Sequence, residues 1–104
     1  MKKLYEILVP TKYGDNLRCI KTKHHKEWDK YVRKISNGLT ILSPGKGQWI
    51  YKDELFEERV IPVRIYCTAE DMDGIVDFSL KHYRQISVMF YLISAECEIR
   101  YAKR

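Results

Sequence analysis

Leu39 to Cys67 reads LTILSPGKGQWIYKDELFEERVIPVRIYC, and this stretch decides the fold. Leu39-Thr40-Ile41-Leu42 starts an extended segment. Ser43-Pro44-Gly45-Lys46-Gly47 interrupts it, and Gln48 to Tyr51 resumes it. Lys52-Asp53-Glu54 supplies turn residues. From Phe56 to Cys67 the pattern is a long strand, with Ile61, Val63, Ile65 and Cys67 on one face and Arg64 and Tyr66 on the other. Pro62 has no N–H to give to a ladder, so the strand is expected to be at an edge or bulged there. The whole stretch predicts two strands joined by a long hairpin arm.

Each flank of this hairpin predicts a strand and a helix. On the N-terminal side, Leu4-Tyr5-Glu6-Ile7-Leu8-Val9 is apolar at every position but Glu6, as an interior strand would be, and Pro10 ends it. Thr22 to Ser36 places Trp28, Tyr31, Val32 and Ile35 at helical spacing, with Thr22 as the expected cap and Asn37-Gly38 as the stop. On the C-terminal side, Thr68-Ala69-Glu70-Asp71 opens a second helix with an acidic first turn. Its expected buried stripe is Met72, Ile75, Val76, Leu80 and Tyr83. A last strand is expected to begin near Ile86 and run through the apolar stretch Ser87 to Ile93. Cys97, Ile99 and Tyr101 then alternate with Glu96, Glu98 and Arg100, which predicts a half-exposed strand or an extension of the one before.

The order is β-α-β-β-α-β, an α+β ferredoxin-like sandwich spanning residues 1–104 as one domain, with two helices on one face of a mainly antiparallel sheet. The other face needs a cover. Large uncovered apolar surfaces mark interfaces, so a homo-oligomer, dimer or trimer, built through the open sheet face is expected.

Composition narrows the classes. The 104 residues carry a formal net charge of +5. Residues 1–52 hold 12 Lys/Arg against 4 Asp/Glu, and residues 53–104 hold 7 against 10, so the halves are +8 and −3. Such asymmetry suits an anionic partner, or two halves that face each other. No run approaches the roughly 18 apolar residues of a membrane span, and the short apolar run after Lys3 is not a signal sequence. Cys19, Cys67 and Cys97 lack metal-site spacing and are expected to be reduced thiols of a cytoplasmic protein.

Several residues are candidates for chemistry. Pro44-Gly45-Lys46-Gly47 is either an anion cradle, with Lys46 adding charge, or a bend within a strand; it is not a Walker A loop. Gln48, Trp49, Glu57, Glu58 and Arg59 fall on the two limbs of the arm, with Trp49 expected opposite Glu57 or Glu58. They form either a small polar ligand site or a packing and salt-bridge cluster. His24 and His25 lie on the basic face of the first helix, about 100° apart, and cannot ligate one metal from one face. With His82 distant in sequence, solvated imidazoles are the expectation, and no metal or other cofactor is predicted.

Four pieces resemble a family of small uncharacterised bacterial proteins. They are Gly38-Leu39-Thr40-Ile41-Leu42, Gly47-Gln48-Trp49, Glu57-Glu58-Arg59, and Tyr83 followed by Gln85-Ile86-Ser87-Val88. The layout is also similar to the PII-like and CutA-like group of ferredoxin-like trimers. A Trp-bearing arm joins strands two and three, and His82-Tyr83 leads into an apolar strand. That resemblance implies a trimeric sensor with small ligands or metals in clefts between subunits, but it carries no nucleotide-contact pattern onto this chain.

The leading expectation is an oligomeric module that binds a small ligand or a protein, with Lys46, Gln48, Trp49, Glu58, Arg59 and Tyr83 as ligand-binding residues. An alternative is a small dimeric enzyme using His82, Tyr83, Glu58 and Arg59. A second is a nucleic-acid or host-factor binder using Lys23, Lys26, Lys30, Arg33 and Lys34 of the first helix, which is not favoured because Glu27 and Asp29 interrupt the patch and its aromatics fall on the core stripe. The sequence does not decide between enzyme and binding module.

Overall fold

The structure, a computed structural model, describes residues 1–103. In chain order the elements are β1 (Lys3–Pro10), α1 (Thr22–Ser36), β2 (Thr40–Ile41), β3 (Gly45–Tyr51), β4 (Glu54–Cys67), α2 (Ala69–His82) and β5 (Phe90–Ser94). The sheet runs β2-β4-β1-β5 with every pairing antiparallel, and β3 pairs with β4 beyond the end of β2. This is the strand order of a ferredoxin-like sandwich.

Sequence period explains the layers. Tyr5, Ile7 and Val9 of β1 and Val63, Ile65 and Cys67 of β4 alternate onto one sheet face and are buried there. Trp28 and Val32 of α1 and Met72 and Ile75 of α2 close that core. Of the predicted helix stripes, Tyr31 is half-buried, stacked on Phe78 at 3.9 Å, and Ile35 is exposed. Thr22 lies inside α1 rather than capping it: the cap position is Lys21, which makes no side-chain cap bond. The stop is as read, and Asn37 takes the left-handed conformation (φ 70°). For α2 the expected cap forms, with Thr68 Oγ1 accepting from the Asp71 N–H at 3.1 Å.

The arm is a hairpin whose turn residues Lys52 and Asp53 both have positive φ, 51° and 64°, as two-residue hairpins favour. It draws the molecule out to 55 × 29 × 24 Å. Pro62 is neither bulged nor at a free edge. It is in register with Leu8 of β1, and its carbonyl accepts from the Leu42 N–H at 2.9 Å. Its missing N–H falls where the chain leaves β2 for β3, which is why the ladder tolerates it.

The C-terminal part departs from expectation. Regular pairing starts only at Phe90; before it, Met89 accepts one bond from the Leu8 N–H, and Ile86 is fully exposed. Cys97 to Tyr101 form no strand. The segment instead runs along the sheet face opposite the helices, where Cys97, Glu98, Ile99 and Tyr101 border a groove with Leu4 and Tyr66.

That open face carries a polar row. Thr40 pairs with Arg64, Arg64 with Glu6, and Glu6 with Tyr91, so one residue from each of four strands lies in line. Arg64 Nε donates to Glu6 Oε1 at 3.0 Å, and the Tyr91 hydroxyl donates to the other carboxylate oxygen. That bond, more than burial, raises the Tyr91 phenol above its ordinary pKa. Glu6 is only 7% exposed, a burial tolerated because both its oxygens are hydrogen bonded.

Candidate functional site

The predicted site residues fall in three places. The arm holds Lys46, Gln48, Trp49, Glu57, Glu58 and Arg59, but on two faces. Lys46 is in register with Arg59 and Gln48 with Glu57, so these four share one face. Gly47 pairs with Glu58 and Trp49 with Phe56, so Glu58 and Trp49 share the other. Trp49 opposes Phe56, not Glu57 or Glu58, and stacks on it at 5.9 Å. Gln48 Nε2 donates to Glu57 Oε1 at 2.6 Å. Residues 45–47 are extended and in register with β4, which is not the curled nest of backbone amides that an anion cradle requires.

Lys46 and Arg59 stand directly opposite each other. Among the described residues neither has an ion-pair partner. Like charges so placed repel, and an anion between them would relieve that repulsion. On the other face, partial burial raises the Glu58 carboxyl above its ordinary pKa, against the pull of Lys12.

The second place is the junction of the N-terminal end of α1 with the C-terminal end of α2. Here the reading of solvated, separate histidines is overturned. His82 Nε2 is hydrogen bonded to the His24 carbonyl at 2.7 Å, and the two rings lie 5.8 Å apart. His25 Nδ1 meets the Tyr83 hydroxyl at 2.9 Å, and His24 Nδ1 is hydrogen bonded to the Tyr13 hydroxyl. Antiparallel packing of the helices thus brings residues 58 positions apart into direct contact. Tyr83 is fully buried, and burial drives its phenol well above its ordinary pKa. It therefore stays protonated and shares a hydrogen bond with His25, whose own pKa burial lowers. Tyr83 belongs to this core junction, and neither His82 nor Tyr83 meets Glu58 or Arg59 of the arm among the described contacts. No three His, Cys, Asp or Glu side chains among the described residues converge as metal ligands.

The third place is the outer face of α1. Lys23, Lys26, Lys30, Arg33 and Lys34 are all exposed there. Trp28 is buried, with its Nε1 donating to Ser79 Oγ at 2.8 Å, and Tyr31 is held against Phe78. The basic stripe therefore has no aromatic free to stack on a base. Among the described residues no helix is long and apolar enough to cross a membrane.

Two features escaped the sequence reading. Tyr13, in a loop before α1, carries no periodic signal. Glu6 did carry one, since it is the only charge in the otherwise apolar run 4–9, and a buried charge needs a partner such as Arg64.

No known protein family and no curated protein matches the chain, so the four-piece pattern shared with uncharacterised bacterial proteins finds no matching family. Solved structures do match. The divalent cation tolerance protein CutA1 of Thermus thermophilus superposes with a TM-score of 0.69 at 11% identity, over 94% of this chain and 88% of that one. The chain has the CutA1 fold. The periplasmic divalent cation tolerance protein CutA of Archaeoglobus fulgidus gives 0.69 at 12% identity, over 96% of this chain and 89% of that one. The PII-like protein CutA of Nostoc gives 0.61 at 12%, over 92% and 82%. At such identities the CutA1 likeness is one of fold.

Proposed function

We propose that this protein is a homo-oligomeric, PII-like binding module that takes a small anionic ligand on its arm, rather than a catalyst. The observation that carries the reading is the arm itself. Its β3 strand pairs with β4 alone, yet the two limbs of the arm display Trp49, Ile50 and Leu55 at 46%, 74% and 58% exposure. An isolated two-stranded hairpin is marginally stable in water, and apolar side chains on it are supported when another copy covers them. Tyr91 on the open face and the uncapped edge of β5 add to that surface.

The opposed Lys46 and Arg59 supply the anion-binding pair, with Gln48 beside them on the same face. Trp49 and Glu58, on the reverse face, are placed to meet a neighbouring copy. The three free cysteines fit a reducing compartment, and we assign the protein to the cytoplasm on that ground. Light scattering on the size-exclusion peak tests the assembly: a dimer or trimer is expected, and a stable monomer at micromolar concentration overturns the proposal.

A further inference from the structure

The groove on the open sheet face has a volume of about 850 Å³, within the range of small-molecule sites. Its floor is Leu4, Tyr66 and Arg64, and the crossing segment with Ile99 and Tyr101 forms a wall. It lies at the opposite end of β4 from the arm, with Arg64 about 13 Å and Tyr66 about 20 Å from Val60 along the strand. One copy supplies the whole lining, and the inference rests on the proposed assembly leaving this end of the open face uncovered.

Three observations give the groove a chemistry. First, Arg64 is fixed. Buried Glu6 holds its Nε, and the Tyr91 hydroxyl holds Glu6 from the far side. Among the described residues no hydrogen bond engages the two terminal nitrogens of Arg64, and the side chain is 44% exposed. An arginine anchored through Nε alone keeps its outer pair of N–H donors for a second, forked partner. Second, the charges do not balance. Glu6 is matched by Arg64, and Glu98 at the rim is matched by Arg100. Lys2 is left over, with its ammonium 5.8 Å from the Tyr66 ring centre. The groove therefore carries one surplus positive charge. Third, Leu4, Tyr66, Ile99 and Tyr101 give the lining an apolar, partly aromatic side, next to the polar Ser36, Asn37, Thr40 and Glu98.

We infer that this groove binds a small organic carboxylate. The acid group takes the outer N–H donors of Arg64 and the charge of Lys2, and the flat apolar body lies between Tyr66 and Tyr101. Thr40, next to Arg64 in the polar row, adds a hydroxyl at the acid end. Glu6 and Tyr91 are positioning residues, since they hold Arg64 and do not reach the ligand.

The test uses naphthoate and its uncharged isostere naphthamide as probes on the full chain, followed by nitrogen-15 NMR and calorimetry. Naphthoate is expected to bind at submillimolar affinity and to shift the amides of Leu4, Tyr66 and Tyr101. Naphthamide is expected to bind at least about tenfold more weakly, the loss of one charged contact. Arg64→Gln is expected to lose about tenfold, and Lys2→Ala, at an exposed position that folding does not need, a lesser but measurable factor. Absence of binding at millimolar naphthoate overturns the inference. So does equal affinity for the amide, a shift pattern outside the groove, or unchanged affinity in Lys2→Ala and in a folded Arg64→Gln.

Discussion

A methyl group on Gly14 would stand 2.1 Å from the carbonyl oxygen of Arg84, a distance no side-chain carbon tolerates. Gly14 also donates its N–H to the Tyr83 carbonyl at 3.2 Å, which ties the loop before α1 to the end of α2. Gly14→Ala is expected to destabilise the protein by about 1–3 kcal/mol, the usual cost of overpacking, read as a lower urea midpoint. In the sequence this glycine looked like one of several loop residues. The contact that makes it obligatory comes from the far end of α2, distant in the chain. The histidine junction has the same origin, and it sets a pH dependence. Burial lowers the pKa of His25 below its ordinary 6.5, while Asp29 raises it and His82 and His24 lower it further. The unfolded chain thus binds a proton that the folded chain resists. Stability is full above pH 6.5 and falls as the pH drops from there toward the depressed folded value. Urea titrations from about pH 7.5 down to about pH 5 are expected to show that loss, and His25→Gln is expected to flatten it.

Among the elements, α2 is the one whose sequence signals were met most fully. Thr68 caps it, Glu70 and Asp71 occupy its first turn, and Lys81 and His82 its last. Thr68→Ala is expected to cost about 1 kcal/mol in thermal or urea unfolding. The arm was legible because Lys52-Asp53 and the period-two pattern of β4 are local features. Its register was not: which residue faces Trp49 depends on the two-residue turn, and it is Phe56 rather than Glu57 or Glu58; Glu58 and Arg59, adjacent in the strand, face opposite ways in any register. That register makes a further prediction. Lys46→Glu would replace a repulsive cross-strand pair with an attractive one, raising stability by a few tenths to about 1 kcal/mol. The same change is expected to abolish binding of inorganic phosphate at the arm, measured by calorimetry. The last strand was read too long because apolar content alone, from Ile86 onward, cannot say where a partner strand ends.

At the scale of the whole molecule, the ferredoxin-like order followed from six segments in sequence, since antiparallel neighbours and short connections leave few arrangements. The charge asymmetry is partly resolved by the fold. The basic residues of α1 and the exposed Glu70, Asp73 and Asp77 of α2 lie side by side on the helical layer. The open face was expected to be apolar, and it is so only on either side of the Glu6–Arg64–Tyr91 row, a long-range pairing that strand periodicity does not reveal. If copies assemble through the arm and this face, folding and association are linked. The melting temperature is then expected to rise with protein concentration, a trend that calorimetric scans over a hundredfold dilution series would read. The single 14-residue strand β4 belongs to both arm and body, and this limits how the arm can move. Slippage by one residue would turn Val63, Ile65 and Cys67 out of the core, so the strand cannot slide. β1 holds β4 as far as Val60, which pairs with Pro10, so the body clamps the root of the arm beyond Pro62, and bending of the arm is confined to the part of β4 that only β3 supports.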